Sequence, residues 1–186
     1  MQKELAQEKI IAGIDPGTSI MGYGILEVKS GSVSIMSMGI VDLRKCPDHY
    51  IKLKSVFDAT TKLLEQFNPD ELAIEAPFFG KNVQSMLKLG RAQGAAIAAA
   101  LQRSIPIFEY APRKIKLAIT GNGNASKEQV AEILKQILKF QKIPKNLDAT
   151  DGVAAALCHH FNHAPNKKSS YKSWTEFISK NPDRLK

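Results

Sequence analysis

The sequence predicts an α/β domain whose core is a mixed five-stranded sheet flanked by helices, with three antiparallel strands first and parallel strands after them. Its 186 residues are 44% hydrophobic, which suffices for one domain with a buried core. Three strand-like runs come first in direct succession, and helix-like and strand-like runs alternate after residue 48. Because such alternation favours parallel pairing, the two parts together indicate a mixed sheet.

The first three strands are apolar runs bounded by turn residues. Lys9–Asp15 is rich in β-branched residues and ends at a Pro-Gly turn. The runs 21–28 and 32–43 lie on either side of a Lys-Ser-Gly turn, which predicts a hairpin.

The remaining elements follow from hydrophobic periodicity. Apolar residues recur near a 3.6-residue period over residues 48–67, which predicts a helix that ends before an Asn-Pro pair. Ser126, ahead of Glu128 and Gln129, has the position of a helix N-cap. The other predicted elements are, in order, a strand at 71–75, a helix at 83–102, a strand at 105–109, and helices at 113–119, 126–140 and 148–162.

These elements divide the chain into three parts. Residues 9–163 form the predicted domain, and residues 1–8 are a polar N-terminal extension. Residues 164–186 form a basic tail that begins with a linker-like segment. Within the tail, Ser173 and Glu176 have capping-box spacing, which indicates a short docking helix.

The N-terminus and the cysteines indicate a cytoplasmic protein with no membrane association. The first residues, MQKELAQEK, contain no apolar segment of the kind found in signal peptides. The longest apolar stretch, 95–101, is far shorter than the roughly 18 residues that a membrane span needs. Cys46 and Cys158 are far apart and lack metal-ligand spacing, so both are expected to be buried free thiols in a reducing compartment.

Positive charge is segregated along the chain. The net charge is +8, with eight Lys or Arg against two acids in residues 112–146 and six against two in residues 164–186. The rest of the chain sums to 12 − 14 = −2. Such segments either solvate helix faces or steer a polyanionic substrate toward an acidic site.

Four carboxylates stand where acids are costly unless they bind a cation. Asp15 and Glu75 end apolar strands, and Asp148 and Asp151 lie on one face at the start of a helix. The helix pair alone has an ordinary explanation, as an N-cap and as acids that complement the helix dipole. Gly152 and the alanines behind it allow this helix to approach the strand that carries Asp15, which favours a site for hard divalent cations such as Mg²⁺ or Mn²⁺.

A stripe of small residues lies on the predicted helix at 83–102. Gly90, Gly94 and Ala98 recur every four residues, so a neighbouring backbone can come close. The stripe faces either the protein's own sheet or a second subunit, and we favour a homodimer.

Four segments in series resemble the RuvC family of Holliday-junction resolvases. They are GIDPGTSIMGYGIL, then IEAPFFGKN with LKLGRAQG, then FEYAPRKIKLAITGNGNASKEQV, and finally LDATDGVAAALCHHF. The resemblance spans about residues 9 to 163 and implies a ribonuclease-H-like fold and a homodimer that cuts four-way DNA junctions. It implies cooperation with a RuvA–RuvB branch-migration complex, and it makes Asp15, Glu75, Asp148 and Asp151 the catalytic, metal-binding acids.

Such a site would hold two divalent ions about 3.5–4 Å apart, with Mg²⁺ as the expected metal and Mn²⁺ as a substitute. In-line hydrolysis there would leave a 5′-phosphate and a 3′-hydroxyl.

The resemblance also indicates DNA contacts. Phe78 matches an aromatic residue that stacks on a base near the junction centre, although adjacent aromatics in a loop often form only a hydrophobic plug. Lys116 and Lys127 match lysines near the scissile phosphate, where isolated lysines would otherwise be solvated surface. The weaker candidates for DNA binding are Phe79, Lys81, Asn82 and Arg113.

Two other functions fit part of the sequence. The segment Asp15-Pro16-Gly17-Thr18-Ser19 resembles the phosphate-binding turn of actin-like and sugar-kinase-like phosphotransferases, which need two such domains and an adenosine site. A non-catalytic junction-binding module would keep the basic segments, but the presence of all four acids disfavours it.

Overall fold

The computed structural model describes residues 8–78 and 82–163, which form a five-stranded sheet with helices on both faces. The strands are β1 (Lys9–Asp15), β2 (Ile20–Lys29), β3 (Ser32–Asp42), β4 (Glu71–Glu75) and β5 (Ile107–Tyr110). The helices are α1 (His49–Phe67), α2 (Val83–Gln102), α3 (Pro112–Thr120), α4 (Lys127–Leu138) and α5 (Asp148–His163).

The sheet has the mixed topology that the sequence predicts. Its strand order is β3-β2-β1-β4-β5, with antiparallel pairing from β1 to β3 and parallel pairing of β1 with β4 and of β4 with β5. The predicted fold class is therefore confirmed. Among the described residues, no helix combines the length and the apolar character that crossing a membrane requires.

Element boundaries differ from the predictions by one to two residues at several ends. The predicted N-cap is confirmed, because the Ser126 side chain accepts a hydrogen bond from the backbone of Gln129 in a capping box. Helix α4 ends at Leu138 because Lys139 adopts the left-handed backbone conformation, with φ of 52°. Strand β5 begins two residues late, since the Ile105 backbone N–H instead bonds the Ala100 carbonyl after α2. The docking helix predicted in the tail lies outside the described residues.

Two hydrophobic cores lie on opposite faces of the sheet. Helices α1 and α2 cover one face, and α3, α4 and α5 cover the other. Cys158 is buried in the second core as predicted, whereas Cys46 is only half-buried. The central position of α5 matters for function, because this helix carries two of the four acids.

Helix α5 lies directly on the backbone of β1 and β2. A Cβ added at Gly152 would come within 2.5 Å of Tyr23 Cα, and one added at Gly22 within 1.9 Å of the Asp148 carbonyl oxygen. Since neither position has room for a side chain, the first turn of α5 is held against the start of β2, which pairs with the end of β1. This contact places Asp148 and Asp151 beside Asp15.

We expect Gly152→Ala to lower the free energy of unfolding by about 1–3 kcal/mol. The added methyl group would clash with the backbone of β2, which has no room to move away. Urea unfolding followed by circular dichroism measures this change. The matched control is Gln136→Ala at an exposed position of α4, away from the contact of α5 with the sheet. The control should change the free energy of unfolding by less than about 0.5 kcal/mol. Equal effects of the two substitutions would contradict the packing argument.

The small-residue stripe of α2 does not face the sheet. No atom lies within 4 Å of a Cβ added at Gly90 or Gly94, and Gly94 and Ala98 are exposed. The buried face of α2 instead carries Ala92, Gln93, Ala96, Ala99 and Ala100. Of the two predicted roles for the stripe, packing on the protein's own sheet is wrong.

Candidate active site

The four predicted acids converge at one edge of the sheet. Strands β1 and β4 are parallel neighbours, so Asp15 and Glu75, at their carboxyl ends, reach the same edge. The first turn of α5 covers this edge with Asp148 and Asp151. A cavity of about 210 Å³ opens there, lined by Asp15, Glu75, Phe78, Pro112, Ile115, Lys116, Lys127, Val130, Asp151 and Ala154.

Three of the acids are close enough to share one cation. Carboxylate oxygens of Asp15, Asp148 and Asp151 all lie within 4.8 Å of one another. Glu75 lies outside this group but lines the same cavity, and it is near enough to Asp15 for the Asp15 charge to add to the effect of burial on its pKa. The donor set therefore consists of carboxylate oxygens, which hard divalent cations prefer.

Helix capping does not account for the acids of α5. The Asp148 backbone N–H donates to the Asn146 side chain at 3.0 Å, so Asn146 takes the capping role. The Asp148 and Asp151 carboxylates instead accept hydrogen bonds from the Lys127 ammonium, at 2.7 Å for Asp148 Oδ1. The prediction of Asp148 as the N-cap is therefore wrong, although both acids lie in the first turn of α5, where they complement the helix dipole. Asp151 also lines the cavity.

Burial and mutual repulsion raise the pKa values of the strand-end acids. Burial, with a further contribution from Asp151, raises the pKa of Asp15 to about 7. Burial and the Asp15 charge raise the pKa of Glu75 to about 8. Burial also raises the pKa of Asp151, although Lys127 opposes the shift. These carboxylates therefore lack enough positive charge around them, which fits a site for a cation.

The raised pKa values predict a pH dependence of stability in metal-free protein. The folded state binds protons at Asp15 and Glu75 that the unfolded state has already lost, so these groups lower stability as pH rises between about 5 and 8. Asp15→Asn should therefore gain stability relative to the unsubstituted protein over this range. Thermal unfolding in a chelator at several pH values measures the difference. A constant difference across the range would contradict the assignment.

The predicted DNA-contact residues have different surroundings. Phe78 is 69% exposed at the mouth of the cavity, so it is not a buried hydrophobic plug. Lys116 lines the cavity with the acids. Asn82 caps α2 by accepting from the Ser85 backbone at 3.0 Å, and Arg113 is exposed beside Gly123. Phe79 and Lys81 lie outside the described residues.

One group that supports the site was not predicted from the sequence. Gln93 is buried in α2, and its amide donates to Glu109 Oε2 at 2.7 Å and to the Glu75 carbonyl oxygen at 3.5 Å. These bonds tie α2 to the ends of β4 and β5 behind the acids. The available signal was a polar residue on the otherwise alanine-rich face of α2.

A second unforeseen group anchors the other end of α5. His159 is fully buried and bonds Glu71 at the start of β4 through Nε2, and Tyr110 Oη through Nδ1 at 2.7 Å. Lys9 also pairs with Glu71. The network runs from Glu71, which begins β4, to Tyr110, which ends β5 and pairs with Glu75. None of its residues lines the cavity, so it positions α5.

The chain matches one protein family over most of its length. The family model described as crossover junction endodeoxyribonuclease RuvC matches residues 11–159. A protein of that name from Bacteroides fragilis is 60% identical over 183 residues, covering 97% of this chain and 97% of the relative. Another, from Christiangramia forsetii, is 57% identical over 183 residues, covering 98% and 95%.

The fold is also similar to solved structures of two resolvases. Thermus thermophilus RuvC in complex with a Holliday-junction substrate is 30% identical, with a TM-score of 0.76, and the match covers 83% of this chain and 94% of that one. The yeast mitochondrial Holliday-junction resolvase Ydc2 matches with a TM-score of 0.58 at 16% identity, covering 83% and 80%. At that identity, the second match concerns the fold alone.

Proposed function

The chain belongs to the RuvC family of crossover junction endodeoxyribonucleases, and we propose that it resolves Holliday junctions by hydrolysing one phosphodiester in each of two strands. The observation that carries this proposal is the convergence of four acids at the sheet edge. Asp15, Glu75 and Asp151 line one cavity, and Asp148 has a carboxylate oxygen within 4.8 Å of those of Asp15 and Asp151. Products with a 5′-phosphate and a 3′-hydroxyl would allow a ligase to seal the nicks.

The four acids would hold two divalent cations, with Mg²⁺ as the physiological ion and Mn²⁺ as a substitute. When bound, such ions supply Lewis-acid activation of water and stabilise charge on the leaving 3′ oxygen. Asp15 lies between Glu75 on the neighbouring strand and the acids of α5, so it would contribute to holding both ions. Glu75 and Asp151 would each hold one ion, and Asp148 would complete the set.

Residues around the cavity would position the DNA. Phe78 is exposed beside the acids, so its ring is free to stack on an unpaired base at the junction centre, a contact worth about 1–3 kcal/mol. Lys116 would contact a phosphate from the wall of the cavity. Arg113, exposed on α3, would contact the DNA backbone further out.

A homodimer would form through the exposed face of α2. Val83, Leu87 and Leu101 lie on the same stripe as Gly94 and are 55–62% exposed, although they are large and apolar. An exposed apolar stripe of this kind is typical of a protein interface, and the glycines allow a second helix to approach closely. A two-fold dimer would present two active sites to the two-fold symmetric junction. The RuvA–RuvB complex would be a further partner, and the cytoplasm the place of action.

A cleavage assay on a synthetic four-way junction with Mg²⁺ tests the proposal. We expect paired, symmetric nicks in the junction and little cutting of a linear duplex made from the same strands. Equal cutting of the junction and the linear duplex would contradict the proposed selectivity for junctions. ATP-dependent phosphoryl transfer without DNA cleavage would instead favour the phosphotransferase alternative, and junction binding without cleavage would favour the non-catalytic module.

A further inference from the structure

Lys127 occupies the position of a cation between two of the acids. Its ammonium donates to Asp148 Oδ1 at 2.7 Å and contacts Asp151 Oδ2. The ammonium is thus paired with two carboxylates at once. The lysine side chain is 47% exposed and the Asp151 side chain 14%, so the lysine reaches from solvent into the site.

The placement of Lys127 is not explained by the stability of its own helix. It is the first residue of α4, where the helix dipole disfavours a positive charge. Its backbone is fixed by the capping box of Ser126 and Gln129, but its four-carbon side chain has several rotatable bonds. The ammonium is therefore able to change partners without movement of α4.

We propose that Lys127 is an internal counterion that the incoming metal displaces from Asp148 and Asp151, and that the freed ammonium then contacts a phosphate of the bound DNA. The inference rests on the proposed assignment of these two acids as metal ligands. In the metal-free protein, Lys127 reduces repulsion among the clustered carboxylates. Because a metal ion and the ammonium compete for the same oxygens, the lysine weakens metal binding until DNA offers it another partner. Metal and DNA would therefore bind cooperatively.

Calorimetric titration with Mn²⁺ in the absence of DNA tests the competition. Lys127→Gln should bind Mn²⁺ at least about tenfold more tightly than the unsubstituted protein, since the competing charge is gone. The matched control is Lys116→Gln, which removes a lysine that lines the same cavity but makes no ion pair with Asp148 or Asp151 among the described residues. The control should change the affinity less than about threefold.

The Mn²⁺ titration tests the metal site and the counterion role of Lys127 separately. If the unsubstituted protein binds no Mn²⁺, the metal-ligand assignment itself fails. If it binds Mn²⁺ but Lys127→Gln binds equally or more weakly, the metal site stands and the counterion role is wrong. A tightening of the same size in Lys116→Gln would also overturn the inference, because general removal of positive charge would then explain it.

The salt dependence of junction binding tests the release of Lys127 toward DNA. With Ca²⁺ present, Lys127→Gln should reduce the slope of log affinity against log salt by about one, the loss of one phosphate contact. In a chelator, the slope should not change, because the lysine is then engaged with the acids. If Lys127→Gln reduced the salt slope equally in Ca²⁺ and in the chelator, or changed it in neither, Lys127 would not move from the acids to the DNA when metal binds.

Discussion

Asp15→Asn is expected to lower the rate of junction cleavage by at least about a thousandfold while junction binding in Ca²⁺ persists. Asn keeps the shape of the side chain but removes the charge from the acid that lies centrally among the others. Loss of fold does not explain such a result, because the substitution also removes repulsion from a buried acidic cluster. Single-turnover cleavage of a labelled junction measures the rate, and gel-shift titration measures the binding.

The matched control for this variant is Asp42→Asn. Asp42 ends the edge strand β3 and pairs with Arg44, outside the cavity. We expect the control to cleave at nearly the unsubstituted rate. Retained cleavage in Asp15→Asn would refute the metal assignment, and loss of junction binding in Ca²⁺ would show that Asp15 acts in DNA binding instead.

The second large effect concerns the exposed face of α2. Replacing both Leu87 and Leu101 by Asp places two like charges on a stripe that we propose to be buried between subunits. We expect the variant to be monomeric by light scattering and to lose paired nicking, because one subunit offers only one active site. Residual cleavage should appear as single nicks, detected by labelling both strands of the same junction.

Met36→Asp serves as the control for the α2 variant, since Met36 is exposed on β3, away from this stripe. It should remain dimeric and should nick in pairs. A monomeric unsubstituted protein at assay concentration would contradict the dimer altogether. A dimer that survives both α2 substitutions would place the interface on another surface.

Much of the fold could be predicted because its strands and helices leave local patterns. The run of Lys9–Asp15 and the period of residues 48–67 each reflect one buried face, and the structure has both elements near the predicted bounds. The four acids were equally visible, since each stands next to an apolar segment. Gly152 also gave a correct local signal, a close approach of α5 to the strand carrying Asp15.

Contacts between distant parts of the chain left no such pattern. The Lys127 ion pairs span 21 and 24 residues, and the bond between Glu71 and His159 spans 88. Hydrophobic periodicity shows which face of an element is buried but not which polar partner it meets there. The Asn146 side chain accepts a hydrogen bond from the Asp148 backbone N–H, so Asp148 is not needed as the helix cap. This bond depends on the local backbone conformation, which composition does not determine.

The two ends of α5 are held in different ways, and together they leave the helix little freedom. His159 fixes one end to Glu71 at the start of β4, and backbone contact fixes the other near Asp15, about 16 Å away along the helix. Sliding or rotating the helix would break one attachment or the other, so the backbone positions of Asp148 and Asp151 are fixed relative to β1. Adjustment in the protein is then confined to side chains, and any larger adaptation is expected in the nucleic acid. Junctions that unstack and open readily at their centre should be cut faster than stiff ones, even when the enzyme binds both equally.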